Sequence, residues 1–245
     1  MTGFDKYSEI FTNRAKELLE EEDLQKNPEY YGVFKNRLLG LKGPKQLGRK
    51  LTPAEVFFLK LNTGFNEIHN SYYSLLDIEV YMGRFPYSNT RVSKTRYLAY
   101  HMENYLNEVY ILEQRLESYF TIVGRLYRND RRHQGIRKSI ETLISLVQEI
   151  LKGVIDTRGA HVHRMRFTDE DLDRLDLQEF LSKHGGDELK VLKNFFKFDY
   201  GRIRKRYKQM INKNNEQIKI MLDACFDILY EIVADEKRQI KYPKA

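Results

Sequence analysis

At 245 residues, with 41% apolar and 31% charged side chains, the chain is long enough to bury a substantial core as one large domain or two small ones and has the makeup of an ordinary globular protein. Its formal net charge of +7 favours acidic partners, of which nucleic acid and anionic membrane are the usual two. One cysteine, Cys225, excludes an internal disulfide and a thiolate zinc cluster and suits a reducing compartment.

The first 22 residues carry Asp5, Glu9 and a run of glutamates, the wrong chemistry for a signal or transit peptide. No apolar run approaches the length of a membrane span, so a cytoplasmic protein with no membrane partner is expected. Residues 4–22 predict an amphipathic helix with Phe4, Tyr7, Ile10, Phe11, Leu18 and Leu19 near one side, and a second short helix is expected from Pro28 to Leu39. Gly40 to Pro53, rich in glycine and basic residues, reads as a linker or ordered loop. The expected organisation is therefore an N-terminal helical extension with this loop over 1–50, then a helical bundle over 51–245 that ends in a long C-terminal helix.

Thr52-Pro53-Ala54-Glu55 is a helix start, with Thr52 as cap, Pro53 at the first helical position and Glu55 as the reciprocal capping carboxylate. The helix should run to about Met82, where Gly83 and Pro86 end it. Between 95 and 127, Leu98, Met102, Tyr105, Val109, Leu112, Leu116, Tyr119, Val123 and Leu126 fall in strict heptad steps, which predicts a long packing helix. Asn129, Asp130 and Gly135 predict a turn before a helix over 136–165, whose buried stripe is Ile140, Ile144, Val147, Leu151 and Val154. Thr168 is expected to cap an acidic first turn, Asp169-Glu170-Asp171, that complements the helix dipole, and Gly185-Gly186 closes that segment. From Asp187 onward the apolar spacing supports one or two long helices, with Gly201 the weak point and Cys225 on the core stripe. No convincing alternating strand appears, so the fold class is all-α, an antiparallel helical bundle with long central helices.

No metal or cofactor is called for. His161 and His163 are two apart, which on a helix points them about 200° from one another and away from a shared ion. The chain has no His-Glu-x-x-His, no cysteine pair, no EF-hand loop, no phosphate-cradling glycine loop and no Gly-x-Ser-x-Gly elbow. What stands out is Thr157 to Phe167, which crowds two imidazoles among arginines: Arg158 interrupts the apolar stripe of its helix, and Val162 and Met165 continue it. An arginine on such a stripe must find acceptors or water.

Arg158 and His163 form an arginine, four residues, histidine pair, and the same spacing occurs at Arg96 with His101 and at Arg128 with His133. Context separates the three. His101 flanks Met102 and reads as a packing histidine, and the Arg128 segment suits a solvated loop. Arg158 alone interrupts an apolar stripe, and Gly159 and Ala160 beside it permit close approach by a helix or a ligand. Over roughly 95–182 the chain resembles the HEPN superfamily, small helical bundles of which many are metal-independent ribonucleases with an arginine, four to six residues and a histidine.

Cleaving RNA requires a proton to leave the 2′-hydroxyl and one to reach the 5′-oxygen, while charge on the phosphate is stabilised. A histidine titrating near neutrality suits the first task and a permanently charged, forked arginine the second. The resemblance implies His163 as proton carrier, Arg158 as phosphate clamp, His161 and Arg164 in support, a cyclic phosphate product and no cofactor. It also implies a toxin or antiviral-defence setting with an antitoxin or regulatory protein as partner. Five positions on a helix turn about 140° and rise about 7.5 Å, so the pair needs a helix distortion or a second copy of the chain to converge, and a homodimer with the motif near its axis is expected.

Arg125, Arg128, Arg131 and Arg132, with Arg166, are expected to follow an RNA backbone, and Arg202, Arg204, Lys205, Arg206 and Lys208, interleaved with Tyr200 and Tyr207, form a second basic group. The alternative reading is a non-catalytic HEPN-like module that binds RNA or a protein partner, with Arg158 a structural arginine paired to Glu103, Glu108 or Glu141.

Overall fold

The computed structural model of the protein describes residues 1–20, 26, 28–39, 41, 51–85, 91–162 and 167–243, with the backbone alone for 28–30, 160–162, 187 and 190. Among these residues the chain is all-α, with seven helices and no strand. They are α1 (Gly3–Glu20), α2 (Pro28–Leu38), α3 (Pro53–Met82), α4 (Lys94–Leu126), α5 (His133–Val162), α6 (Glu170–His184) and α7 (Lys190–Val233). No described helix is long and apolar enough to cross a membrane. Most of the Gly40 to Pro53 linker lies outside the described residues.

Local signals set most boundaries. At the start of α3 the Thr52 N–H donates to Glu55 Oε2 at 2.6 Å and the Glu55 N–H donates to Thr52 Oγ1 at 3.2 Å, the reciprocal box its sequence predicts. The α4 stripe is buried from Leu98 to Val123, and each such side chain contributes about 1.5–3 kcal/mol relative to exposure. Two expectations shift, and one that was open, between one and two C-terminal helices, resolves to one. α5 starts at His133 rather than 136. The cap of α6 is Asp169, not Thr168: Asp169 Oδ1 accepts from the Leu172 N–H at 2.9 Å, while the Thr168 hydroxyl donates to Asp173. A carboxylate so placed also meets the positive end of the helix dipole, which a hydroxyl does only weakly. α7 runs unbroken through Gly201, because one weak propensity costs about 1 kcal/mol against a helix of 44 residues held by its buried face.

The described chain divides into two compact units. The first comprises residues 1–70, 113–150 and 219–245. Its core is aromatic: Tyr7 packs against Phe11, Phe65 and Phe226, and its hydroxyl lies 2.7 Å from that of Tyr119, both buried. Gly64 is required here, since a Cβ at that position would stand 2.5 Å from the Tyr119 ring. Within this unit α4 and α5 run antiparallel, with Glu117 accepting from Gln148 at 2.6 Å and Gly124 facing Ile140. Cys225, also in this unit, is buried, and burial pushes its thiol up to about 12.

The second unit comprises residues 71–112 and 151–218. Buried Tyr105 donates to Asn215 Oδ1 at 3.1 Å, and Asn215 Nδ2 donates to the Leu75 carbonyl at 3.4 Å, so α4, α7 and α3 share one satisfied polar link. The start of α4 is held from α6. Buried Glu179 accepts from the backbone N–H groups of Lys94 and Thr95, both at 3.0 Å, and from the Thr95 hydroxyl at 2.8 Å.

Candidate functional site

Arg158 sits on α5 in the second unit, half-buried, where the apolar stripe of that helix turns polar. Its guanidinium carbon lies 3.9 Å from the centre of the Tyr110 ring, and its Nε donates to Asn107 Oδ1 at 3.0 Å. Both partners come from α4, one turn apart. Among the described residues these contacts stand where the sequence suggested Glu103, Glu108 or Glu141 as an ion-pair partner; Glu103 instead accepts from the Phe167 N–H at 3.0 Å. An arginine face on an aromatic ring together with a directed N–H bond fixes the plane of the guanidinium.

His161 belongs to α5 by its backbone, and its side chain lies outside the described residues, as do His163, Arg164, Met165 and Arg166 entirely. The structure therefore positions Arg158 alone of the motif. Description resumes at Phe167, whose ring packs 6.2 Å from Tyr207 and which leads directly into the α6 cap.

The other two arginine-histidine pairs differ sharply. Arg128 is exposed, and His133 is the exposed first residue of α5. Arg96 and His101, by contrast, line one cavity of about 970 Å³ in the second unit, walled by the first turns of α4 and α6 and the end of α3. Tyr81, Tyr100, Asp173 and Asp176 line it with them. His101 is 8% exposed and ringed by tyrosines, with centroids of Tyr97 at 4.4 Å, Tyr100 at 5.4 Å and Tyr81 at 5.9 Å. Burial lowers the His101 pKa, so the ring is held neutral. Its Nδ1 is buried and has no hydrogen-bond partner among the described residues. Tyr100 and Tyr81 are more than half exposed in the same cavity.

The cavity and the Arg158 clamp lie on one helix face. Arg96, Tyr100, Glu103, Asn107 and Tyr110 follow 4-3-4-3 spacing, two positions behind the apolar stripe and so about 160° round α4 from it. This regularity was available in the sequence and was masked by the stronger apolar one. That α6 would bring Asp173 and Asp176 to the same place was not readable, since nothing local fixes where a separate helix packs.

The basic groups are less free than their sequence suggests. Arg132 donates from Nε to Asp130 Oδ1 at 3.1 Å and from NH2 to the Ile232 carbonyl at 3.3 Å, which makes it a strut for the C-terminal segment. The held carboxyl of Asp130 is lowered by those Arg132 hydrogen bonds. Arg125 lines a separate hollow in the first unit, and Arg131 is exposed. In the second group, Arg206 pairs with Asp169 at 2.7 Å and with Asp171, and Arg202 with Asp199 at 3.3 Å. The acidic first turn of α6 is thus largely occupied in neutralising α7. Among the described residues no group of three or more His, Cys, Asp or Glu side chains is arranged to hold a metal ion. Compared with family models, with curated proteins and with solved structures, the chain matches none of them.

Proposed function

We propose that the chain is a HEPN-like, metal-independent endoribonuclease in which Arg158 stabilises the scissile phosphate and His163 carries the proton. The observation that supports this most is the state of Arg158. Its orientation is fixed by Tyr110 and Asn107 before any ligand arrives, yet the residue keeps part of its surface in solvent. Electrostatic stabilisation works best when the charge is already in place, because no reorganisation is then needed in the transition state.

In the reaction the RNA 2′-oxygen attacks phosphorus, the bond from phosphorus to the 5′-oxygen breaks, and the 2′-hydroxyl proton is removed as the leaving oxygen gains one. The products are a 2′,3′-cyclic phosphate and a 5′-hydroxyl. One histidine carries a proton in each direction only if it meets both oxygens, which motivates a homodimer that brings a second pair near the first. A cytoplasmic toxin or antiviral-defence role, restrained by an antitoxin or regulatory protein, belongs to the same proposal.

One observation favours a second reading. A ring face and an amide oxygen are also sufficient compensation for a purely structural arginine, in which case the bundle binds RNA or a protein without cutting. Incubation of the purified protein with a mixed RNA pool in EDTA separates the two. The proposal expects cleavage with cyclic phosphate ends, abolished in Arg158→Ala and His163→Ala at unchanged helical content. Equal cleavage by both variants overturns the assigned residues, and RNA binding without any cleavage by the wild type selects the second reading.

A further inference from the structure

The cavity beside Arg96 and His101 is not used by the chemistry above, and three features say what it suits. Its volume of about 970 Å³ lies within the range of about 300–1,000 Å³ usual for small-molecule sites. Two of its tyrosines keep over half their surface in solvent, Tyr100 at 59% and Tyr81 at 53%, where a large aromatic side chain would normally be covered. Its wall holds the buried His101 Nδ1, which has no hydrogen-bond partner among the described residues, a group that costs about 1–3 kcal/mol unless something pairs with it.

The charges are sorted as well. Asp173 and Asp176 come from α6, and Asp173 Oδ1 already takes the Thr168 hydroxyl. Arg96 is exposed on the first turn of α4, one turn before Tyr100. Carboxylates accept hydrogen bonds, so Asp173 and Asp176 suit a group that presents N–H donors beside an aromatic face, and among the described lining residues Arg96 is the cation an anion would meet. Along α4, Tyr100 precedes Asn107 by seven residues, about 10.5 Å, so an occupant here is close to the residue that clamps Arg158.

We propose that this cavity receives a nucleobase of single-stranded RNA, stacked on Tyr100 and Tyr81 and read through its amino and imino N–H groups by Asp173 and Asp176, with the adjoining phosphate on Arg96. Guanine, which offers an amino and an imino donor side by side, fits the paired carboxylates; uracil, with two carbonyls flanking one N–H, meets them poorly. The inference rests on RNA being the substrate, and supplies the positioning that cleavage at Arg158 would use.

The test reads binding apart from cleavage. Fluorescence anisotropy with 2′-O-methyl hexanucleotides in EDTA cannot be confounded by turnover, because the attacking hydroxyl is blocked. The full-length wild type should bind a guanosine-containing hexamer more tightly than a uridine hexamer. Tyr100→Ala should weaken the former about tenfold, with Tyr100→Phe within about twofold of wild type, as stacking needs the ring and not the hydroxyl. Joint Asp173→Asn and Asp176→Asn substitution should erase the base preference. Tyr100→Ala binding unchanged at an unchanged melting temperature overturns the pocket, as does calorimetric binding of spermidine in place of the oligonucleotide. Absence of cleavage with Tyr100-dependent binding intact ends the nuclease reading and leaves the pocket standing; cleavage with Tyr100-independent binding does the reverse.

Discussion

Arg158 and Tyr110 form a stacked pair, the guanidinium carbon 3.9 Å from the ring centre, with Asn107 fixing the remaining rotation through Nε. A lysine at 158 keeps the charge but has neither the planar face nor the Nε donor. Arg158→Lys should therefore lower RNA cleavage at least about 100-fold while the melting temperature falls by only about 2–8 °C, since the lost contacts are worth about 1–2 kcal/mol. Asn107→Ala should lower the rate constant more than it raises KM. A rate unchanged in both variants would remove Arg158 from the chemistry.

Glu179 ties α6 to the start of α4, and its acid behaviour follows from its partners. Burial alone would raise its pKa, but the Lys183 hydrogen bond and those from Thr95 and Lys94 outweigh this and hold it below the ordinary value near 4.5. A carboxyl whose pKa is lower folded than unfolded contributes stability above the unfolded value and loses it as pH falls through the folded one. Stability should decline below about pH 4.5, more shallowly in Glu179→Gln, which should also cost about 2 kcal/mol at neutral pH. Denaturant melts at pH 7 and pH 3.5 check both; parallel losses in wild type and variant would contradict the assignment.

Gly64 allows the Tyr119 ring to approach α3, and the ring cannot retreat because its hydroxyl is bonded to Tyr7 inside the core. Gly64→Ala gains about 1 kcal/mol of helix propensity and meets an overpacking cost of about 1–3 kcal/mol. A net loss of up to about 2 kcal/mol is expected, read as a lower denaturation midpoint. An alanine variant more stable than wild type would show that the ring gives way.

Cys225 is buried, with its thiol pushed up to about 12, so almost no thiolate exists at neutral pH. The native protein should resist iodoacetamide and modify at one site only after denaturation, as mass spectrometry would record. Rapid labelling of the folded protein would contradict its burial.

The helical class, the span of α4, the Thr52 to Glu55 box and the end of α3 at Met82 were all present in the sequence, because each depends on residues within a few turns: heptad spacing, a capping pair, a glycine after the last apolar residue. The polar stripe from Arg96 to Tyr110 was equally local, though overshadowed by the apolar one opposite. Tertiary structure alone decided that Arg158 would meet Asn107 and Tyr110 rather than a carboxylate, that Asp169 would both cap α6 and bind Arg206, and that α6 would place Asp173 and Asp176 across a cavity from His101. Periodicity states which face of a helix is covered. Which neighbour covers it is set by how helices far apart in the chain pack, and that packing leaves no periodic trace in either segment.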